Sequence, residues 1–167
     1  MNFTAIDFET ANHKRHSACA MGIVCVKNGK IELKKSFLIR PPEPYFRFTY
    51  IHGITWEDVK DAPTFRELWP EIKPLISEGD FIAAHNAPFD RSVLLQTCSF
   101  YDITPPAVEF KCTVQIARNI LGIRPAGLSN VCRRLGILLN HHEALSDAIA
   151  CAKIVLHALG AGKNQLF

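Results

Sequence analysis

Two acidic residues near the start of the chain, Asp7 and Glu9, have a spacing that suits metal binding. They lie two positions apart in an otherwise apolar stretch, Phe3–Thr10, which is predicted to form a β-strand. Side chains two apart on a strand point to the same face of the sheet, so the two carboxylates would be neighbours. Neighbouring carboxylates repel each other, but a hard cation such as Mg²⁺ prefers them as ligands. The alternative is two solvated acids at a strand end.

Two later segments carry acids that could reach the same place. Asp90 ends the sequence AHNAPFD (residues 84–90), where a short apolar strand leads into a helix. An acid there could instead serve only to complement the helix dipole. Asp147 lies on the same helix flank as Cys151 and Ile154, where a carboxylate needs a cation or a metal ion as its partner.

A histidine precedes the third acid and is a candidate general base. His142 lies five residues before Asp147, roughly 140° around an ideal helix, so the two cannot share a helix face. We therefore expect His142 on the loop that enters the helix, reaching back over the acids. The alternative for His142 is an exposed loop residue, which is the expectation for its neighbour His141. His85 is a rival base, ranked lower because no Asp lies at a matching offset from it.

The elements that must position these residues are a β-meander followed by alternating helices and strands. Strands over residues 17–26 and 30–39 are joined by Asn28-Gly29, a strong hairpin signal. Further strands are predicted over residues 81–84 and 109–112. Helices are predicted over residues 64–77 and 87–98. A third helix carries Leu128, Val131, Cys132 and Leu135, and a last helix runs from Leu145 to Leu159. Pro70 and Pro74 are expected to kink or divide the first helix. This order predicts an α/β fold with helices packed on a mixed sheet.

Composition limits the class of protein. The chain has 167 residues, 48% of them hydrophobic and 21% charged, which is typical of one globular domain. We predict a domain over residues 1–160 and a tail, or the start of a linker, over residues 161–167. The longest apolar run, residues 18–26, is too short to cross a membrane. Acids stand where a signal peptide would be apolar, so a cytoplasmic location without membrane contact is expected.

The cysteines and the net charge carry little information about function. Six cysteines are scattered without a CxxC pair, which favours buried reduced thiols and speaks against a zinc site. A net charge of +3 does not identify the partner, because many enzymes of small metabolites carry a similar excess.

Taken together, the motifs resemble those of the DEDDh exonuclease family. Asp7-Phe-Glu9, the 84–90 segment and His142-x₄-Asp147 are similar to its three motifs in their order and separation. Residues 51–55 (IHGIT) and 62–65 (APTF) resemble the branch that contains the proofreading epsilon subunit of bacterial DNA polymerase III; ribonuclease T is a related member. One departure is Thr10-Ala11-Asn12, where epsilon subunits commonly have Thr-Thr-Gly. It concerns loop contacts to the terminal nucleotide and not the metal site.

The resemblance implies a ribonuclease H-like fold, with a five-stranded mixed sheet flanked by helices. It implies that Asp7, Glu9, Asp90 and Asp147 bind two divalent cations, Mg²⁺ or Mn²⁺, which activate water and stabilise the displacement at phosphorus. His142 would be the general base, a role that suits the near-neutral pKa of imidazole.

Substrate contacts are predicted beside the motifs. The candidates are Phe8, Thr10, His52, Asn86 and Phe89, and an aromatic or histidine ring among them could stack on a terminal base. Core packing is the alternative for Phe8 and Phe89. Cations near four acids would help to admit a polyanion, and the candidates are Lys14, Arg15 and Arg91.

The leading functional prediction is a 3′→5′ exonuclease that acts on single-stranded DNA ends and releases nucleoside 5′-monophosphates, with a DNA polymerase as a candidate partner. The second hypothesis is an exoribonuclease, because exonucleases for DNA and for RNA differ only in a few contacts to the 2′-hydroxyl. A non-catalytic module that binds nucleic acid or a polymerase is the third. A module of this kind is expected to lack a metal ligand or the histidine, whereas the four acids and His142 are all present in this sequence.

Overall fold

Three antiparallel strands open the fold and two parallel strands extend it. The computed structural model describes residues 1–160, beginning with β1 (Phe3–Thr10), β2 (Ala18–Lys27) and β3 (Lys30–Leu38), which form a meander. The strands β4 (Ile82–Ala84) and β5 (Phe110–Cys112) add in parallel on the other side of β1. The sheet order is β3-β2-β1-β4-β5. The predicted five-stranded mixed sheet is therefore confirmed, as is the hairpin, in which Asn28 and Gly29 both have positive φ.

Helices cover both faces of the sheet. They are α1 (Thr49–His52), α2 (Trp56–Val59), α3 (Phe65–Ser77), α4 (Pro88–Phe100), α5 (Thr113–Gln115), α6 (Leu128–Leu135) and α7 (Ala144–Gly160). A π-helical turn, Ile116–Ile120, follows α5 directly. The elements α1, α2, α5 and this turn were not predicted, because each is too short to show an apolar period in the sequence.

Strand β1 is the centre of the molecule because its two faces supply two different cores. Phe3 and Ala5 pack in one cluster with the buried side of α7, whereas Ile6 and Phe8 pack in the other cluster, under α3 and α4. Alternation along a strand makes Asp7 and Glu9 members of the α7 face. The strand therefore presents its two acids to the helix that carries Asp147.

Helix α3 runs without interruption through both of its prolines. Pro70 and Pro74 lie inside the helix Phe65–Ser77, so of the two predicted effects, a kink or a division, the division does not occur. The helix begins at a capping box, in which the Thr64 side chain accepts a hydrogen bond from the Glu67 amide. This cap and the buried face of the helix compensate for the two missing amide donors.

Two further predictions concern the ends of the chain and the membrane. Among residues 1–160 no helix is long and apolar enough to cross a membrane. The predicted tail, residues 161–167, lies outside the described residues.

Candidate active site

Three carboxylates from two distant parts of the chain converge beside β1. Oxygen atoms of Asp7, Glu9 and Asp147 all lie within 4.8 Å of one another. Asp7 and Glu9 point to one face of β1, as predicted, and Asp147 lies in the first turn of α7, which packs on that face. Asp147 is 3% exposed, and its Oδ1 atom is buried without a hydrogen-bond partner among the residues that the structure describes.

A glycine allows the helix to come this close to the sheet. Gly22 on β2 pairs with Asp7 on β1 and lies beneath the start of α7. A Cβ atom at this position would lie 2.2 Å from the carbonyl oxygen of Ala144, which is far inside van der Waals contact. The absence of a side chain at Gly22 therefore lets α7 deliver Asp147 to the two acids of β1.

The fourth predicted acid, Asp90, is buried next to this group. It is 1% exposed in the first turn of α4, and its Oδ1 accepts a hydrogen bond of 3.0 Å from the Phe8 amide. This bond joins α4 to β1 between Asp7 and Glu9. The negative charge of Asp90 raises the pKa of both Asp7 and Glu9, so the four predicted acids form one electrostatic cluster.

Burial and mutual repulsion make these acids hard to ionise. Burial, followed by repulsion from Asp147 and Asp90, raises the pKa of Glu9 to about 8. Burial raises the pKa of Asp90 to about 7, although the Phe8 amide opposes the shift. The pKa values of Asp7 and Asp147 are also raised, mainly by burial. A set of acids with such pKa values needs protons or cations to hold it together.

The residues present fit divalent cations. The donors are carboxylate oxygens, which hard cations such as Mg²⁺ and Mn²⁺ prefer. The buried Oδ1 of Asp147 has no hydrogen-bond donor in the described part of the chain, and a buried carboxylate oxygen without a partner is costly. A cation held between Asp147 and the acids of β1 would remove that cost.

Both histidines of the third motif reach the site. His142 lies on the loop before α7, as predicted, and its backbone amide donates to Asp147 Oδ2 at 3.2 Å. His141 was expected to be an exposed residue without a role. Its side chain is 38% exposed, yet Nδ1 lies 2.9 Å from the same Oδ2 atom. The two imidazole rings stack with a centroid separation of 3.8 Å.

The surroundings of His142 favour its neutral form. Burial lowers the pKa of His142, the neighbouring His141 lowers it further, and Asp147 opposes both effects. The rival candidate His85 is more deeply placed, and burial lowers its pKa to about 4. Its Nδ1 lies 2.8 Å from the hydroxyl oxygen of Thr113. His85 therefore connects the end of β4 to α5. Within the described residues it forms no hydrogen bond with any of the four acids.

Three of the four acids, Asp7, Glu9 and Asp147, line a cleft of about 860 Å³ that could admit the end of a polymer. One wall comes from residues 48–52, another from the start of α4, and a third from α5, the π-helical turn and the loop before α6. The lining includes Phe48, Ile51, His52, Asn86, Phe89, Val114, Arg118 and Leu128 as well as the two stacked histidines.

The predicted substrate contacts fall into two groups. Phe8 is 3% exposed and its ring packs near Phe65, so core packing, the alternative reading, holds for its side chain. Phe89 is half-buried in the cleft, with the Arg15 guanidinium 4.5 Å from its ring centroid. Asn86 is exposed there with φ of 63°.

His52 and Thr10 line the cleft but are joined to each other. His52 Nδ1 accepts a hydrogen bond from the Ile54 amide at 3.0 Å. The other ring nitrogen, Nε2, is therefore the donor, and it lies 3.1 Å from the Thr10 carbonyl oxygen. His52 thus ties the 51–55 loop to the end of β1, and only its ring face is available to a substrate.

The cations near the cleft differ from those predicted. Arg118 lines the cleft from the π-helical turn and was missed, because nothing in the sequence around it distinguishes it from a solvated arginine. Lys14, a predicted phosphate contact, forms an ion pair of 2.6 Å with Glu43. Arg91 lines a neighbouring groove with Phe110.

The sheet order and the position of the acids on β1 define the class of protein as a ribonuclease H-like domain of the exonuclease type. The sequence profile of the exonuclease family (RNase T) matches residues 4–155, and the chain belongs to this family. The predicted family and its enzyme class, a hydrolase, are thereby confirmed.

Individual relatives support this assignment. The chain is 30% identical over 161 residues to the PolC-type DNA polymerase III of Thermotoga petrophila, covering 92% of the chain and 12% of that polymerase. It is 31% identical over 140 residues to exodeoxyribonuclease 10 of Escherichia coli K12, covering 80% of the chain and 58% of that enzyme. The chain therefore spans only part of the length of these relatives.

Solved structures share the fold. Exonuclease X, in complex with 5′-overhanging duplex DNA, superposes with a TM-score of 0.77 and 25% identity, covering 95% of this chain and 92% of that one. Exonuclease I superposes with a TM-score of 0.83 at 16% identity, covering 99% of this chain and 42% of that one.

Proposed function

We propose that this chain is a metal-dependent 3′→5′ exonuclease that removes nucleoside 5′-monophosphates from single-stranded DNA ends. The observation that carries the proposal is the convergence of oxygens of Asp7, Glu9 and Asp147 within 4.8 Å, with a buried oxygen of Asp147 that no described residue hydrogen-bonds. Three ionised carboxylates at that separation repel one another, and a bound cation would offset this repulsion. The family of the chain, an exonuclease family, supports the same chemistry.

Four acids would hold the ions. We assign Asp7, Glu9, Asp90 and Asp147 as ligands of two divalent cations, Mg²⁺ or Mn²⁺. When bound, such ions supply an activated water and neutralise the charge that develops on the attacking and leaving oxygens. Asp90 offers its Oδ2 for this role, because Oδ1 accepts the Phe8 amide. That amide fixes the side chain of Asp90 before any ion arrives.

His142 is assigned as the general base. Its backbone amide is anchored to Asp147, so the ring is held at the rim of the acid cluster. Burial and the adjacent His141 favour the neutral ring, which is the form able to accept a proton from the attacking water.

The cleft would hold the 3′-terminal nucleotide between its walls. Thr10, His52, Asn86 and Phe89 all line it, and Phe89 and the ring face of His52 offer surfaces on which a base could stack. Arg118 brings positive charge to one wall, and Arg15 lies behind another, with its guanidinium 4.5 Å from the ring centroid of Phe89. A polyanion that approaches four acids needs such cations, and Arg118 has the more direct exposure to the cleft.

DNA is proposed over RNA because of the relatives. Those with 30% identity or more include an exodeoxyribonuclease and DNA polymerases. A DNA polymerase is for the same reason the proposed protein partner. We place the chain in the cytoplasm, where DNA polymerases act and where its six cysteines, none in a disulfide, would stay reduced.

The test is a comparison of initial rates on end-labelled single-stranded DNA, duplex DNA and RNA of one sequence, with Mg²⁺ or Mn²⁺. We expect stepwise loss of 5′-monophosphates from the 3′ end, fastest on single-stranded DNA and abolished by a chelator. Faster cleavage of RNA would favour the exoribonuclease. Binding of all substrates without cleavage would favour the non-catalytic module. Internal fragments, or full activity in excess EDTA, would contradict the proposal.

A further inference from the structure

Two hydrogen-bond donors converge on one oxygen of Asp147 and leave the other one free. His141 Nδ1 lies 2.9 Å from Oδ2, and the His142 amide donates to the same atom at 3.2 Å. The second oxygen, Oδ1, is buried and has no hydrogen-bond donor within residues 1–160. The chain therefore holds the carboxylate through Oδ2 and leaves Oδ1 available to a cation, in a carboxylate that has an oxygen within 4.8 Å of oxygens of Asp7 and Glu9.

We propose that His141 is a positioning residue that orients Asp147 for metal binding, an inference that rests on the proposed function. By occupying Oδ2, the imidazole fixes the plane of the carboxylate and directs Oδ1 toward the ion shared with Asp7 and Glu9. A ligand fixed in this way binds without first losing side-chain freedom. Groups that hold a ligand by a hydrogen bond commonly contribute tenfold to hundredfold to metal affinity.

The local backbone explains how two adjacent histidines serve one carboxylate. His142 has φ of 67°, a left-handed conformation that turns the chain sharply just before α7. The turn points the His142 amide at Asp147 and places the two rings in a stack, 3.8 Å apart. The ring that holds Asp147 therefore also supports the ring of the proposed base, so His141 links the ion site to the proton acceptor.

The contact uses one particular nitrogen, which makes a sharp test possible. In asparagine the side-chain nitrogen is bonded to Cγ, as is Nδ1 in histidine, so His141→Asn can place a donor near Asp147 Oδ2. Glutamine places its nitrogen one bond further along, near the position of Nε2, which does not contact Asp147. The two amides have the same chemistry and differ in reach alone.

The experiment is calorimetric titration of the protein with Mn²⁺, without substrate, for the parent and for His141→Ala, His141→Asn and His141→Gln. We expect His141→Ala and His141→Gln to weaken Mn²⁺ binding by about tenfold to a hundredfold. His141→Asn should retain most of the parent's affinity. His157→Ala, which removes an exposed histidine in the last turn of α7, is the matched control and should bind Mn²⁺ like the parent.

Circular dichroism and melting in EDTA establish that each variant is folded. If His141→Ala is folded and binds Mn²⁺ as tightly as the parent, the positioning role is wrong. Equal losses for His141→Asn and His141→Gln would also overturn it, because the contact would then depend on the ring and not on its Nδ1 donor. If the parent itself binds no Mn²⁺, the proposed function fails, and this inference fails with it.

Discussion

Gly22 and Ala144 meet backbone to backbone at the place where α7 begins, with the carbonyl oxygen of Ala144 only 2.2 Å from where a Cβ of Gly22 would be. Gly22 is also the strand partner of Asp7, and Ala144 is three residues before Asp147. The distance between the two segments that carry the proposed metal ligands is thus set by a residue that has no side chain.

We predict that Gly22→Ala damages both stability and metal binding. The added methyl group must push α7 away from β2, and overpacking of this kind typically costs about 1–3 kcal/mol of folding free energy. Urea unfolding measures that loss, and Mn²⁺ titration should show weaker binding, because Asp147 moves with the helix. Gly160→Ala, where a Cβ meets no neighbour among residues 1–160, is the control. Parent-like stability of Gly22→Ala would show that α7 can shift freely.

The acid cluster predicts an unusual dependence of stability on pH in metal-free buffer. The folded-state pKa values of Glu9 and Asp90, about 8 and about 7, lie above the values near 4 expected for the unfolded chain. The folded state then binds more protons, so stability is greatest below the unfolded pKa and falls as pH rises from about 4 to about 8. Urea unfolding in EDTA at several pH values measures the slope.

The dependence of the free energy of unfolding on pH should become shallower in Glu9→Gln, which removes one of the groups with a raised pKa. Glu32→Gln, an exposed change on β3, should leave it unaltered. Stability that rises over this pH range would mean that the acids are not crowded in the metal-free protein.

His142→Ala should lower turnover by roughly 10² to 10⁴, the usual contribution of a positioned general base. Substrate binding should change little, because the acids and the cleft remain. Single-turnover rates and substrate affinity, measured separately, check this, with His157→Ala as the control. His141→Ala is unsuitable as a silent control, since its ring contacts Asp147. A turnover of His142→Ala close to that of the parent would remove His142 from the mechanism.

Arg118→Ala should raise KM with little change in kcat, because a phosphate contact distant from the reacting atoms binds ground state and transition state alike. The dependence of binding on salt should also weaken, by about one unit of slope for one lost phosphate contact. Arg134→Ala, an exposed change on α6 outside the cleft, is the control. An unchanged KM and salt dependence would place the substrate elsewhere.

The sequence predicted those parts of the site that follow from simple periodicity. Asp7 and Glu9 share a face because the side chains of a strand repeat every two residues. Asp147 could be identified because it is an acid on an apolar flank of a helix. His142 could be placed on a loop because it is out of phase with that helix. These arguments need only local geometry. The resemblance to the family then predicted that the three motifs form one site.

The rest depends on distances that no local pattern contains. His141 contacts Asp147 because the left-handed backbone at His142 folds the loop back, and φ at a non-glycine residue is not visible in the sequence. Arg118 faces the cleft from a π-helical turn whose period differs from that of an α-helix. The side chain of Phe8 is in the core because the even positions of β1 face α3 and α4.

The most direct test of the central claim, that the acids form a shared ion site, is a set of melting curves for the parent and Asp7→Asn in EDTA and in Mn²⁺. Asparagine keeps the shape of Asp7 and removes one charge from the cluster, so Asp7→Asn should melt above the parent in EDTA while being almost inactive. Mn²⁺ should raise the melting temperature of the parent by mass action and that of the variant much less. If Asp7→Asn melts below the parent in EDTA, and Mn²⁺ leaves the parent unchanged, the acids are not a shared ion site.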